Sequence, residues 1–257
     1  MEYKIAVHTD IGIKKETNQD SCCIKEAVTP KGNVILAVLC DGMGGLAKGE
    51  VASATLINVF SSWFEEKLPS ILAEENILDG IQYCWDRMLK EQNKNIAAYG
   101  KNLHLQLGST VTAIVILENG EYLIGHVGDS RAYKITNENI EILTEDQTVV
   151  AREVKLGKLT PEEAEQDPRR NVLLQCVGAS RIVEPAFYRG IVKKDECYML
   201  CSDGFRHVIS KEEIRETLSP KNNGDELIMK KNIEQLTDLN KFRHENDNIT
   251  ALLIKTI

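Results

Sequence analysis

Short apolar runs rich in β-branched residues recur along the chain: Tyr3–Thr9, Val34–Cys40, Val111–Leu117, Tyr122–Val127, Cys197–Cys201 and Ile249–Ile254. Gly, Asp or Asn bounds most of them, and this pattern predicts strands. The runs Val111–Leu117 and Tyr122–Val127 are joined by Glu118-Asn119-Gly120-Glu121. Asn-Gly suits a tight turn, so the pair predicts a hairpin. Two other stretches carry a helical period. Ala52, Leu56, Val59, Phe60 and Trp63 mark one apolar face between Gly49 and Glu66. Ile77, Ile81, Cys84, Trp85, Met88 and Ile96 mark another between Ile77 and Tyr99. Weaker helical patterns lie at Lys211–Leu218 and Asp225–Leu239. The strands follow one another by hairpins and the long helices come as a consecutive pair. That order predicts an α+β fold with antiparallel sheets rather than alternating βαβ units. Segment 145–178 is charged and breaks the strand rhythm. It reads as a helical excursion, with Thr160 as an N-cap and Pro161-Glu162-Glu163 opening a short helix. No linker composition and no repeat divides the chain, so residues 1–257 read as one domain.

Composition narrows the class. A domain of 257 residues can bury roughly 70% of its unfolded surface and needs no covalent staples. The net charge is −8 and the pI is near 5.3, which argues against nucleic acid as a partner. The longest fully apolar run, Val34–Cys40, is far short of the ~20 residues that cross a bilayer, so no membrane partner is expected. Met1-Glu2-Tyr3-Lys4 does not open a secretion signal. Seven cysteines with no C-x-x-C pair read as reduced thiols of a cytoplasmic protein. The histidines are scattered, which argues against a zinc site.

Carboxylates at strand ends carry the candidate chemistry. Asp41 ends the run Val34–Cys40 and precedes Gly42-Met43-Gly44-Gly45. Asp129 stands in Gly128-Asp129-Ser130-Arg131, Asp203 in Ser202-Asp203-Gly204, Asp247 in Asp247-Asn248-Ile249-Thr250 and Asp20 in Asn18-Gln19-Asp20. Such groups converging without a cation would repel one another and raise one another's pKa. Two divalent cations would resolve the repulsion, and oxygen-only ligands select Mg²⁺ or Mn²⁺. Asp-Gly is equally a turn signal, as Asp79-Gly80 illustrates, so pattern alone leaves a turn reading and a metal reading both open.

Together these motifs resemble the type 2C, metal-dependent serine/threonine protein phosphatases in their bacterial form. The resemblance rests on Thr9-Asp10-Ile11-Gly12, Asn18-Gln19-Asp20, Leu39-Cys40-Asp41-Gly42-Met43-Gly44-Gly45, Gly108-Ser109-Thr110, Gly128-Asp129-Ser130-Arg131, Ser202-Asp203-Gly204 and Asp247-Asn248-Ile249-Thr250, in the family's order. It implies a four-layer α-β-β-α sandwich of two antiparallel sheets flanked by helix pairs, with a flap subdomain at about 145–178 centred on Leu156–Ala164. It implies hydrolysis of phosphoserine and phosphothreonine on proteins by a water bridging two Mn²⁺ or Mg²⁺ ions, without a covalent phosphoenzyme. In that scheme Asp41 bridges both metals and the Gly42 carbonyl completes one sphere. Asp203 and Asp247 hold the other ion, Asp129 with Asp203 takes a weaker third, and Asp20 acts through metal-bound water. The partners implied are phosphorylated proteins and a cognate Ser/Thr kinase, with a monomer as the default.

Several positions depart from the family pattern. Lys15 stands where the family grips the substrate phosphate with Arg; it keeps the charge but loses the bidentate fork. The family's Asp-His-Ser is here Asp146-Gln147-Thr148, and its His-Pro at the flap's end is Asp167-Pro168. Met43 replaces a eukaryotic general-acid His, as in bacterial relatives. Lys15 and the altered flap motivate an alternative reading, a weakly active or inactive pseudophosphatase that binds phosphoproteins. Of the remaining candidates, His126 reads as a core histidine, Trp63 and Trp85 as core packing, and Lys230-Lys231 as a wet helix face. Arg169-Arg170 reads either as a contact for acidic substrate or as a solvated surface pair.

Overall fold

The computed structural model describes residues 2–43 and 48–257. One sheet has the order β1 (Tyr3–Asp10), β10 (Ile249–Thr256), β9 (Cys197–Cys201), β6 (Arg131–Ile135), β7 (Ile140–Ile142). The other runs β2 (Asp20–Thr29), β3 (Gly32–Asp41), β4 (Val111–Ile116), β5 (Glu121–Val127), β8 (Ala186–Ile191). Every strand pair is antiparallel.

The alternation of side chains along a strand explains why the central strands read as unbroken apolar runs. In β3, Val34, Leu36, Val38 and Cys40 face the helical layer of α1 (Gly49–Glu66), α2 (Leu68–Ile71) and α3 (Ile77–Asn102). Ile35, Ala37 and Leu39 face the second sheet and meet Leu200, Leu252 and Ile254. In β10, Ala251 and Leu253 turn the other way, onto α7 (Lys211–Leu218) and α8 (Glu226–Phe242). Three apolar layers thus separate four structural ones: helices, sheet, sheet, helices. This is the expected α+β sandwich.

The remaining strands have weak sequence signals for a physical reason. β2, β7 and β8 lie at sheet edges and are only half-buried, with charges such as Lys25, Glu141 and Arg189 on them. β6, Arg-Ala-Tyr-Lys-Ile, is short and carries two cations, although it lies between β9 and β7. The hairpin of β4 and β5 turns at Gly120, whose φ of +83° suits glycine. Segment 145–178 forms α4 (Val149–Lys155) and α5 (Pro161–Gln166) and returns through bridges Thr148↔Leu173 and Ser109↔Val177. Thr160 caps α5 as expected: its hydroxyl accepts from Glu163 N, and Glu163 Oε2 accepts from Thr160 N at 2.8 Å. A short helix, α6 (Asp203–Arg206), follows β9. All seven cysteines are free thiols, and no helix among the described residues is long and apolar enough to cross a membrane.

Trp85 is fully buried, with Phe60 and Trp63 edge-on at 5.3 Å, and Gly125 leaves it room, since a Cβ there would lie 2.8 Å from its ring. Trp85→Ala therefore lowers unfolding free energy by about 3–5 kcal/mol, read from the urea midpoint. His126 is fully buried and meets Thr112 Oγ1 at 3.0 Å, and burial pulls its imidazole down to about 4. The ring stays neutral in the folded chain but takes a proton on unfolding below ~6.5. Stability is thus unaffected above that pH and falls as the pH drops toward 4, by about 3 kcal/mol in all. His126→Gln flattens this part of a melting-temperature against pH curve; an unchanged slope refutes the neutral ring.

Candidate active site

The acidic motifs come from both sheets and meet where the sheets' ends adjoin. Asp41 ends β3 and its cross-strand partner is Asp20, the first residue of β2. The Asp41 backbone is held on both sides: its N–H donates to Thr110 Oγ1 at 3.0 Å, and its carbonyl accepts from Thr110 N at 2.9 Å and Ser109 Oγ at 3.0 Å. Thr110 Oγ1 in turn lies 2.8 Å from Ser130 Oγ, which joins the Asp41 strand to the Asp129 motif. Gly42 donates to Gln19 O at 3.1 Å, and a Cβ on it would stand 2.5 Å from the Gln19 and Gly49 carbonyls. Only glycine admits that approach. Gly44 and Gly45 of this motif lie outside the described residues.

Asp203 and Asp247 flank the neighbouring strands β9 and β10. Asp203 opens α6, and Asp247 stands just ahead of β10. Asn248 ties the surrounding loops together. Its Oδ1 accepts from Gln19 N at 2.9 Å, and its Nδ2 donates to Ile11 O at 2.9 Å and Thr17 O at 3.2 Å. Gly204 permits the close approach of the two loops, since a Cβ there would lie 2.2 Å from Asn248 O. Asp10 accepts from Lys241 Nζ at 2.8 Å and from Gly12 N at 2.7 Å, a structural role.

Electrostatics show that these carboxylates share one locality. Burial raises the Asp41 pKa well above the carboxylate range, and Asp20, Asp203, Asp129 and Asp247 each push it further. Burial lifts Asp20 to about 7; the Thr250 and Ser202 hydroxyls oppose this, while Asp203 and Asp247 add to it. Asp129 rises to about 7 through burial and Asp203, against Arg206. Lys15 supplies the cation at the edge: its Nζ lies 2.6 Å from Asp247 Oδ1. Burial alone would lower its pKa, but Asp247, Asp41 and Asp203 together raise it.

As they stand, no three His, Cys, Asp or Glu side chains among the described residues are arranged to hold a metal ion. The donor set nevertheless fits hard divalent cations. It is all oxygen, it is strongly self-repelling, and Asp20 Oδ2 is buried with no hydrogen-bond partner among the described residues.

The residues of segment 145–178 that depart from the family pattern have structural duties. Asp146 receives both Arg131 Nε at 2.8 Å and Arg131 Nη2 at 2.7 Å, with Arg206 Nη2 at 3.4 Å. Despite burial, these guanidinium groups hold its pKa below the usual carboxylate range. Gln147 Oε1 accepts from Gly128 N at 2.8 Å, and Thr148 Oγ1 caps α4. Arg169 is committed to Asp167 at 2.7 Å and Glu153 at 2.9 Å, which favours its surface reading over contact with substrate.

Three residues had no place in the sequence reading. Arg206 Nη2 donates to the Asp129 carbonyl at 2.9 Å. His207 lies between Asp203 and Glu245, 3.5 Å from each carboxylate. Their only signal was proximity in sequence to Asp203 and Asp247.

Comparison with known proteins agrees with this architecture. The protein phosphatase 2C family profile matches residues 12–236. The serine/threonine phosphatase stp of Listeria monocytogenes is 30% identical over 248 residues, 96% of this chain and 93% of that protein. The crystal structure of serine/threonine phosphatase Stp1 from Staphylococcus aureus superposes with a TM-score of 0.84 at 28% identity, covering 100% of this chain and 96% of that one. The catalytic domain of the phosphatase PstP in complex with 2 manganese ions gives a TM-score of 0.77 at 28% identity, covering 98% and 97%. With a family match that spans most of its length and with its acidic motifs gathered at one end of a double sheet, the chain belongs to the protein phosphatase 2C family.

Proposed function

We propose that this phosphatase removes phosphate from phosphoserine and phosphothreonine of proteins with two Mn²⁺ or Mg²⁺ ions held by Asp41, the Gly42 carbonyl, Asp203 and Asp247. Asp20 acts through bound water, and Asp129 with Asp203 takes a third, weaker ion. The observation that carries the reading is the placement of Asp41, paired across β2 and β3 with Asp20 and set in the field of Asp20, Asp203, Asp129 and Asp247. When bound, such ions lower the pKa of a coordinated water and neutralise charge on the phosphoryl oxygens.

The chain's own groups do the rest. Lys15 places an ammonium at the acidic rim, where it can meet a phosphate as a single point charge. Thr110, Ser109 and Asn248 hold the backbones that carry the acids, so the acids stay put despite their repulsion. A cysteine nucleophile has no support: burial pushes Cys22 and Cys23 up to about 11 and Cys201 to about 12. Raised thiol pKa values mean little thiolate at neutral pH. The same free thiols support a reducing compartment, the cytoplasm. One catalytic domain over 1–257 with 145–178 as its flap, a monomeric state and an opposing Ser/Thr kinase complete the reading.

Mn²⁺-loaded protein is expected to release phosphate from a phosphothreonine peptide, and Asp41→Asn to abolish release. Removing one of the clustered like charges leaves the metal-free melting temperature unchanged or higher. Peptide binding by the wild type without phosphate release would select the pseudophosphatase reading instead. Lys15→Ala is expected to raise KM for the phosphopeptide by roughly ten- to a hundredfold with kcat nearly constant, since a charged contact of this kind is worth about 1.5–3 kcal/mol. Lys15→Arg should keep or lower KM. Steady-state kinetics check both, and equal KM values for all three proteins would remove Lys15 from phosphate binding.

A further inference from the structure

We infer that Glu245 and His207 form a brace that fixes Asp203 and Asp247 relative to each other, and so act as positioning residues for metal binding. The inference rests on the reading of these two aspartates as ligands. Glu245 is buried, 7% exposed, and uses its two oxygens for different tasks. Its Oε1 accepts the backbone N–H of Asn246 at 2.7 Å and of Asp247 at 2.9 Å, which fixes the turn that presents Asp247. Its Oε2 lies 3.5 Å from His207 Nδ1, and His207 Nε2 lies 3.5 Å from Asp203 Oδ2. One imidazole thus spans two carboxylates, one nitrogen toward each, and the path from the Asp247 backbone to the Asp203 side chain is continuous.

The surrounding frame is rigid at both ends. Asn240 of α8 donates through Nδ2 to Phe205 O at 2.8 Å and accepts at its carbonyl from Glu245 N at 3.0 Å. It therefore holds the segment before His207 and the residue that faces His207. Outside the brace, Arg243 secures the same loop by ion-pairing with Glu213 at 2.6 Å and by donating to Val208 O at 2.8 Å. A carboxylate ligand oriented by a partner binds its metal more tightly than one left to rotate; loss of such a partner typically weakens binding 10- to 100-fold. The geometry links the Asp203 carboxylate to the Asp247 backbone through the Glu245–His207 pair, while the Asp247 carboxylate itself meets Lys15 Nζ at 2.6 Å and accepts from Asn248 N at 2.8 Å.

Isothermal titration with Mn²⁺ alone, paired with thermal unfolding of the metal-free protein, tests this. His207→Ala and Glu245→Gln are each expected to weaken Mn²⁺ binding about tenfold or more, with His207→Gln intermediate. The double variant His207→Ala/Glu245→Gln should be no weaker than the worse single, because both residues act through one path. Glu213→Gln, which loosens the loop without touching the brace, should bind Mn²⁺ as the wild type does. The brace is refuted if Glu245→Gln and His207→Gln fold and bind Mn²⁺ unchanged, or if Glu213→Gln weakens binding as much as they do. If Asp203→Asn binds Mn²⁺ like the wild type, the ligand assignment itself fails; if Asp203→Asn loses Mn²⁺ while the brace variants keep it, only the brace does.

Discussion

Mutual repulsion among clustered aspartates is the constraint around which the rest of the molecule is arranged. Asp41 sits in the field of Asp20, Asp203, Asp129 and Asp247, and the burial of Asp20, Asp129 and Asp203 removes water that would screen them. A fold can keep such groups together only if their backbones are held by bonds that the repulsion cannot break. That is the work of the uncharged residues in the motifs. Thr110 and Ser109 grip Asp41, Asn248 ties the Asp247 loop to the loops before β2, and Ser202 and Thr250 join β9 to β10 by exchanging bonds at 3.0 and 3.1 Å. In the function proposed above the acids would hold the metal ions, and these hydroxyls and amides hold the backbones of the acids.

The two-sheet architecture makes this arrangement possible. Asp20 and Asp41 belong to one sheet and Asp203 and Asp247 flank strands of the other. Each sheet is stabilised by a helical layer on its outer face and by the other sheet on its inner face. Burial of the strands is thus spread through the sandwich, while the carboxylates gather at its rim. Gly42 and Gly204 let the backbones approach where the two halves meet, closer than any side chain would allow.

Much of this was legible in the sequence, and the rest was not for identifiable reasons. Doubly covered strands such as β3 and β10 announce themselves as continuous apolar runs, and α7 begins and ends where its pattern does, at Lys211 and Leu218. Edge strands β2, β7 and β8 were missed because half-exposed strands mix charge with apolar residues. The five aspartates could be named from their motifs, since short strand-end sequences are local. Arg206, His207 and Glu245 could not, because their meaning arises from contacts between segments as much as 77 residues apart. The altered triplet Asp146-Gln147-Thr148 could be seen as a departure, but not its compensation. Only the fold shows Gln147 receiving Gly128 N and Asp146 receiving two arginines.

Charge pairing elsewhere in the chain sharpens the contrast with the site. Asp10 has Lys241, Asp146 has Arg131 and Arg206, and Glu213 has Arg243; each of these acids is held below its ordinary pKa. The chain has 31 basic and 39 acidic residues, so partners are nearly sufficient for all. Yet Asp20, Asp41 and Asp129 are raised, not lowered, and the only lysine or arginine side chain that the described contacts place directly on the cluster's carboxylates is Lys15, on Asp247. Arg206 approaches Asp129 but spends its hydrogen bonds on a backbone carbonyl and on Asp146. A fold selected for stability alone would pair these acids as it pairs the others, because unpaired buried charge is among the costliest features a protein can carry. The local deficit of positive charge is therefore best understood as a demand for cations from outside the chain, made at the one place where the two sheets bring their acidic ends together.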